Sequence, residues 1–256
     1  MLSNIINMIL SNDKYYIIRV GGFATDANTK IYYSLFSLVL CSHDYLYNNS
    51  TECFVILYYS TLIWTCIEFY LYITATREIK PMHLYYNNTS VLVPRYIGIF
   101  LQGFQEGGCI STIGLYFGDR LFILKYTICL HLLIFFIMVN VFFRKSTKQK
   151  SSIRQVNSKG SLLLMATITL YNLKMLNDNP LHLQRQLQML FVMIYVSFYW
   201  TIAVLFKGFR DVIVYIIEKD EYVVKKYNIY DTLYVLAYDV VFEIGMAYLF
   251  FYRFLI

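Results

Sequence analysis

The chain has 256 residues, of which 58% are hydrophobic and 15% are charged, with a formal net charge of +6. Soluble domains usually carry about 25% charged residues, so the composition argues against a soluble globular protein. Nucleic-acid binding is not expected either, because the basic residues lie in loops between apolar runs rather than along one face.

Seven apolar runs predict an all-α bundle of transmembrane helices, because a helix of roughly 20 apolar residues can cross a bilayer. Residues 1–30 are polar and are predicted to form a cytoplasmic N-terminal segment, which leaves 31–256 as the transmembrane domain. The first and fifth runs are short for a full crossing. The predicted spans are 31–47, 53–75, 96–118, 121–143, 161–176, 189–206 and 232–252.

The positive charges indicate how these spans are oriented. In a seven-span chain, 17 of the 22 Lys and Arg residues fall on the side that receives the N-terminus. The segments on that side are 1–30, 76–95, 144–160 and 207–231. Because Lys and Arg are enriched in cytoplasmic loops, the N-terminus is predicted to be cytoplasmic and the C-terminus to lie outside. The sequence does not indicate which membrane holds the protein.

Two pairs of overlapping glycosylation sequons lie on opposite sides in this topology. Asn48 and Asn49 begin the sequence NNST in the first outer loop, where an oligosaccharide can be attached. Asn87 and Asn88 begin the sequence NNTS in a loop predicted to face the cytoplasm, and we expect them to stay unmodified. The chain is therefore predicted to be a glycoprotein that is modified at the first pair only.

The span 96–118 is exceptional because it holds six of the eleven glycines of the chain. Small residues let helix backbones approach closely in a membrane, where packing replaces the missing hydrophobic force between helices. Three interpretations stay open: this face packs on other helices of the same chain, it forms a homo-oligomer, or the helix is flexible or broken at Gly107-Gly108. The predicted packing residues are Gly103, Gly107, Ser111, Gly114 and Gly118.

Several polar side chains fall inside the apolar runs, where an ionisable group costs about 2.5 to 3.5 kcal/mol at a helix centre. We expect Glu106 to face the interior of the bundle and to lie within hydrogen-bonding reach of Gln102, His131, Glu243 or water. The layer is interpreted either as a proton or cation path, or as buried contacts that fix the register of the helices. Its predicted members are Glu68, Gln102, Glu106, His131, Asp239 and Glu243.

These features predict a multi-pass membrane protein of the channel or transporter class, which moves a small solute with coupling to protons or cations. A non-catalytic membrane subunit or receptor-like protein is the alternative, and an intramembrane lipid-modifying enzyme is a third. The lipid bilayer is the expected partner. No catalytic residue, metal ligand or cofactor is predicted, because the five cysteines form no CxxC pair and no Walker loop, GxSxG or HExxH motif occurs.

Overall fold

The computed structural model describes residues 14–22, 24–74, 77–87, 89–144, 150–218, 221–225 and 229–256. Within these residues the chain is mainly helical, and seven helices overlap the seven predicted apolar runs in the same order. The predicted helical bundle is confirmed in this respect. The helices are α1 (Ala27–Asn48), α2 (Glu52–Ile73), α3 (95–118), α4 (Leu124–Phe143), α5 (Lys159–Asp178), α6 (Leu183–Phe206) and α7 (Ile229–Leu255).

Four of the described helices are long and apolar enough to cross a membrane, judged by length and composition: α2, α4, α6 with the turn before it, and α7. Large apolar side chains also cover the outside of the bundle, among them Phe136, Phe143 and Phe206. An exposed apolar surface of this kind is unfavourable in water, whereas lipid accommodates it. These features are those of a membrane protein.

The first helix, α1, is polar on the inside and apolar on the outside. Its buried positions include Lys30, Ser37 and Asp44, whereas Leu35 and Val39 are exposed. A helix of a soluble protein shows the opposite arrangement, with its apolar stripe toward the core. The inverted pattern of α1 is favourable when the outer surface contacts lipid.

Local signals set several helix ends. The carboxylate of Asp26 accepts hydrogen bonds from the backbone N–H groups of Asn28 and Thr29, at 3.0 and 3.3 Å, and so caps the start of α1. The same helix ends at Asn49, whose left-handed backbone (φ 50°) stops the helix. Pro94 precedes α3, where the missing amide donor of proline costs nothing.

Two helices contain π-helical stretches. In α3 the stretch Phe104–Cys109 separates two α-helical parts, Arg95–Gly103 and Ile110–Gly118. In α7 the stretch Ala237–Met246 is ten residues long. A π-helix is rare, because each N–H bonds five residues back instead of four, and it frequently marks a functional site. Both stretches carry acidic residues that the sequence places inside the bundle.

The structure corrects the all-α prediction, because strands occur in the connecting segments. A five-stranded sheet has the order β2-β5-β1-β6-β7, and all its neighbouring strands are antiparallel. A separate hairpin joins β3 and β4. The strands are β1 (Lys14–Val20), β2 (Arg77–Ile79), β3 (His83–Tyr86), β4 (Thr89–Leu92), β5 (Lys150–Gln155), β6 (Arg210–Glu218) and β7 (Glu221–Lys225).

The sheet lies at one end of the bundle, so the two ends of the bundle can be told apart. Its strands come from the segment before α1 and from the α2–α3, α4–α5 and α6–α7 connections. We call this the sheet end, and the opposite end the loop end. At the loop end, Arg120 forms an ion pair with Asp44, and Arg185 forms ion pairs with Glu52 and Asp119. These pairs join the ends of α1, α2 and α6 to the residues that follow α3.

The glycines of α3 lie where this helix meets its neighbours. A Cβ atom added to Gly103 would lie 2.8 Å from Cα of Thr65, and one added to Gly107 would lie 2.7 Å from the carbonyl oxygen of Ser60. Toward the loop end, a Cβ on Gly118 would lie 2.9 Å from the backbone nitrogen of Met189 in α6. Gly114 also faces α6, and Ser111 is fully buried. The neighbours at the glycine positions are therefore α2 and α6 of the same chain.

Candidate functional site

A cavity of about 100 Å³ lies inside the bundle beneath the sheet, and we call it the central cavity. Its walls come from β1 and from α1, α3, α4, α6 and α7. Charges of both signs reach it, which is costly inside an apolar bundle unless the groups are paired. Its charged lining residues are Arg19, Lys30, Glu106, Asp239 and Glu243.

Glu106 projects into the central cavity from the π-helical stretch of α3. Its Oε1 atom lies 3.3 Å from Nη1 of Arg19, and its Oε2 atom accepts a hydrogen bond of 3.4 Å from the indole nitrogen of Trp64. The Arg19 guanidinium also lies 5.7 Å from the centre of the Trp200 ring, within the range of a cation–π interaction. Glu106 thus faces the interior of the bundle, where its partners include Arg19 of β1 and Trp64 of α2.

Asp239 and Glu243 project from the π-helical stretch of α7, and both are buried. Oε1 of Glu243 forms an ion pair with Nη1 of Arg154, which comes from β5. Its Oε2 atom has no hydrogen-bond partner within the part of the chain that the structure describes. The sheet therefore supplies an arginine to an acid of α3 and another arginine to an acid of α7.

Lys30 adds a second cation to the lining of the central cavity, from the first turn of α1. Its side chain is buried, and its Nζ atom donates a hydrogen bond of 3.4 Å to Oε1 of Gln105. No sequence pattern singles out Lys30, because it precedes the first apolar run and resembles an ordinary cytoplasmic charge. Arg19 and Arg154 were missed for the same reason, since both lie in connecting segments.

Glu68 and Gln102 do not line the central cavity. They lie on α2 and α3 around a smaller cavity of about 40 Å³, which is nearer to the sheet end and is also lined by Lys80, Met82 and Arg95. Both Glu68 and Gln102 are buried. The predicted polar layer is thus divided between two cavities on the two sides of α3.

His131 lies apart from both cavities. Its Nδ1 atom is 2.7 Å from the carbonyl oxygen of Thr127, its Nε2 atom is 3.2 Å from the hydroxyl of Tyr195, and the side chain is exposed. The buried stripe of α4 passes through Leu130 and continues at 134, 137 and 141. His131 is one residue beyond that stripe, about 100° around the helix, so depth in the span was not enough to place it in the interior.

The glycosylation sequons lie at opposite ends of the bundle. Asn48 and Asn49 are exposed at the loop end, where the side chain of Asn48 donates a 2.9 Å hydrogen bond to Asp44. Asn87 occupies the turn of the β3–β4 hairpin, in the connection between α2 and α3 that also supplies β2 to the sheet. Asn88 lies outside the described residues.

The central cavity is suited to polar ligands and to proton exchange. Its carboxylates can accept protons or cations, and its cations can attract an anionic or carbonyl group of a small solute. Among the residues that the structure describes, no group of three His, Cys, Asp or Glu side chains is arranged to hold a metal ion. The functional evidence therefore lies in the arrangement of the charged residues themselves. No family model, no curated protein and no solved structure matches this chain.

Proposed function

We propose that the chain is a seven-span membrane protein that moves a small polar solute across the bilayer, with protons or cations as the coupling species. The observation that carries this proposal is the central cavity, where Glu106 and the pair Asp239 and Glu243 meet cations inside an apolar bundle. Intramembrane ionisable groups are expensive, and they commonly mark substrate or ion pathways. The two π-helical stretches that carry these acids add support, since such stretches are frequently functional.

The proposed orientation places the sheet end in the cytoplasm and the C-terminus outside. It is supported by the sheet, whose strands come from the same four segments that hold 17 of the 22 Lys and Arg residues. The short first span is supported by the inverted pattern of α1, whose apolar side chains point outward. Seven crossings follow if α1, α3 and α5 cross together with the four more apolar helices.

The ion pairs of the cavity suggest how a charge could be coupled to movement. Arg19 and Arg154 belong to the sheet, whereas their partners Glu106 and Glu243 belong to α3 and α7. A proton or cation that neutralises either acid weakens the attraction between the sheet and the bundle. In this mechanism the loading of the cavity is linked to the docking of the sheet, which would expose the cavity to the cytoplasm and close it again.

A non-catalytic subunit or receptor-like protein is the second candidate, and the same ion pairs favour it. Paired charges can fix the register of helices without moving any solute. The third candidate, a lipid-modifying enzyme, has less support, because His131 lies away from the acids that would have to act with it.

Proton flux separates the first two candidates. The purified chain is reconstituted in liposomes with a trapped pH-sensitive dye, and a potassium gradient with valinomycin drives proton entry. We expect Glu106→Gln and Asp239→Asn to reduce the flux to that of protein-free liposomes, because an amide keeps the size of the side chain but cannot exchange a proton.

The matched control is Glu52→Gln, which neutralises an acid at the loop end, away from the central cavity. This variant should retain the parental flux. If folded Glu106→Gln and Asp239→Asn proteins conduct as the parent does, the acids are structural and the second candidate is correct.

A further inference from the structure

The smaller cavity is a second polar site that the proposed function does not use. Glu68 of α2 and Gln102 of α3 line it, while Lys80 and Arg95 line it nearer to the sheet-end surface. Arg95 is exposed there, and its guanidinium donates a 2.7 Å hydrogen bond to the hydroxyl of Tyr72. The cavity therefore extends from exposed polar groups to buried ones.

Gln102 is the reason to expect a ligand in this cavity. The residue is 1% exposed, and neither its Oε1 nor its Nε2 atom has a hydrogen-bond partner within the described residues. A buried polar group left without a partner is unfavourable, because it has lost its hydrogen bonds to water. A buried amide with both a donor and an acceptor free of protein partners points to a ligand that can accept and donate hydrogen bonds at once.

The size of the cavity identifies that ligand as water. One water molecule needs about 10–15 Å³ of such space, together with two to four polar partners. The cavity of about 40 Å³ therefore holds a few water molecules, and Gln102, Glu68 and Lys80 offer both donors and acceptors. A larger organic solute does not fit in this volume.

The cavity also lies on a line of polar groups that leads to Glu106. On α2, Glu68 is one turn from Trp64, and Trp64 donates its indole hydrogen bond to Glu106. On α3, Gln102 is four residues before Glu106, a distance of about 6 Å along the helix. The lining of the smaller cavity and Glu106 thus lie about one helical turn apart on α3.

We propose that the smaller cavity is a hydrated site through which protons pass between the sheet-end surface and Glu106. Hydronium at the surface gives its proton to a water in the cavity, and that water passes a proton on to the Glu106 carboxylate. Gln102 orders the water by donating and accepting hydrogen bonds, and it is not itself protonated. The water site stands on the geometry alone, whereas the proton route rests on the proposed function.

Hydroxyl-radical footprinting of the full chain in lipid nanodiscs tests the water site. Met82 lines the cavity and is 6% exposed, whereas Met165, 7% exposed, lines neither cavity described above. Radiolysis of bound water produces radicals beside Met82, so we expect Met82 to be oxidised several-fold faster than Met165. Gln102→Leu should reduce the oxidation of Met82 to the rate of Met165, and Gln102→Glu should preserve it.

The liposome flux measurement tests the route. We expect Gln102→Leu to slow proton flux and Gln102→Glu to sustain it. Equal oxidation of Met82 and Met165 in the parent would overturn the water site, and unchanged flux in Gln102→Leu would overturn the route. A parent without any proton flux contradicts the proposed function instead, and Met82 oxidation then still decides whether the cavity holds water.

Discussion

Gly107 lies at a close contact between α2 and α3, and it shows what a single residue contributes to this bundle. A Cβ atom at this position would lie 2.5 Å from Cβ of Trp64 and 2.7 Å from the carbonyl oxygen of Ser60. No rotamer change relieves a contact with backbone. The same close approach brings Trp64 within hydrogen-bonding distance of Glu106, so the packing of α3 and the geometry of the central cavity depend on one another.

We therefore expect Gly107→Leu to destabilise the protein by roughly 1–3 kcal/mol or more, because overpacking forces the two helices apart. The measurement is thermal unfolding in detergent, followed by tryptophan fluorescence. Gly160→Leu is the matched control, since a Cβ at Gly160 meets nothing within 4 Å. If both variants unfold at the parental temperature, α2 and α3 do not pack at Gly107 as described.

At the residue scale, the sequence predicts well how deep a polar side chain lies along its helix, but it predicts poorly which neighbour that side chain faces. Glu106, Asp239 and Glu243 interrupt apolar runs, so their position in the run indicates burial at mid-helix. Their cationic partners carry no such signal, because Arg19 and Arg154 lie outside the apolar runs. Which acid meets which cation depends on the rotation of helices and on the docking of strands, and neither property is encoded in local hydropathy.

Among whole elements, the helices could be predicted from the sequence and the sheet could not. The helices could be predicted from apolar runs because each needs only its own residues to satisfy its backbone hydrogen bonds. The sheet could not, because β1 pairs with strands that lie more than a hundred residues away, at 150–155 and 210–218. The glycine pair Gly107-Gly108 allows a broken helix in α3 as one interpretation, but no sequence feature indicates the π-helical stretch of α7.

The attachment of the sheet to the bundle can be tested at Arg154. Its pair with Glu243 is mostly buried, with side chains 13% and 6% exposed. Removing one member of a buried pair leaves an uncompensated charge and typically costs about 3–5 kcal/mol. Replacing both members by well-packed apolar residues is often neutral. We expect Arg154→Gln to lower the thermal stability strongly, and Arg154→Met combined with Glu243→Leu to restore most of it.

The comparison variant for this pair is Arg185→Gln at the loop end. Arg185 pairs with Glu52 and Asp119, and the three side chains are 26%, 39% and 23% exposed. Solvent therefore weakens both attractions, and about 0–1 kcal/mol is expected from each pair. Equal losses in Arg154→Gln and Arg185→Gln, measured by the same unfolding assay, would mean that the Glu243 pair is no more important for stability than a surface contact.

On the scale of the whole molecule, the sheet joins the four basic segments that the charge pattern predicts to lie on one side of the membrane. A strand from each of the four basic segments belongs to one sheet, so these segments share one end of the bundle whichever way the molecule is inserted. The positive-inside rule then favours the proposed cytoplasmic placement of that end. Fold and charge bias are independent observations, because hydrogen-bonded strand pairing does not require Lys or Arg.

The orientation leads to a prediction about modification. In a glycosylating host we expect a glycan on Asn48 or Asn49, which are exposed at the loop end, and none on Asn87 or Asn88. The measurement is the gel shift removed by endoglycosidase, with Asn→Gln variants of each pair as controls. The loop at 49–51 is short, and a short loop can keep a sequon out of reach of the oligosaccharyltransferase. An added sequon tag therefore provides an independent test of the orientation.

A tag that follows Ile256 should be glycosylated, because α7 runs from the sheet end to the loop end. The same tag inserted within 145–149, between α4 and β5, should stay unmodified, because the adjoining strand belongs to the sheet. Modification of the inserted tag together with an unmodified C-terminal tag would reverse the orientation. Modification of both would place the sheet end and the loop end on the same side of the membrane. That result would contradict the proposed seven crossings.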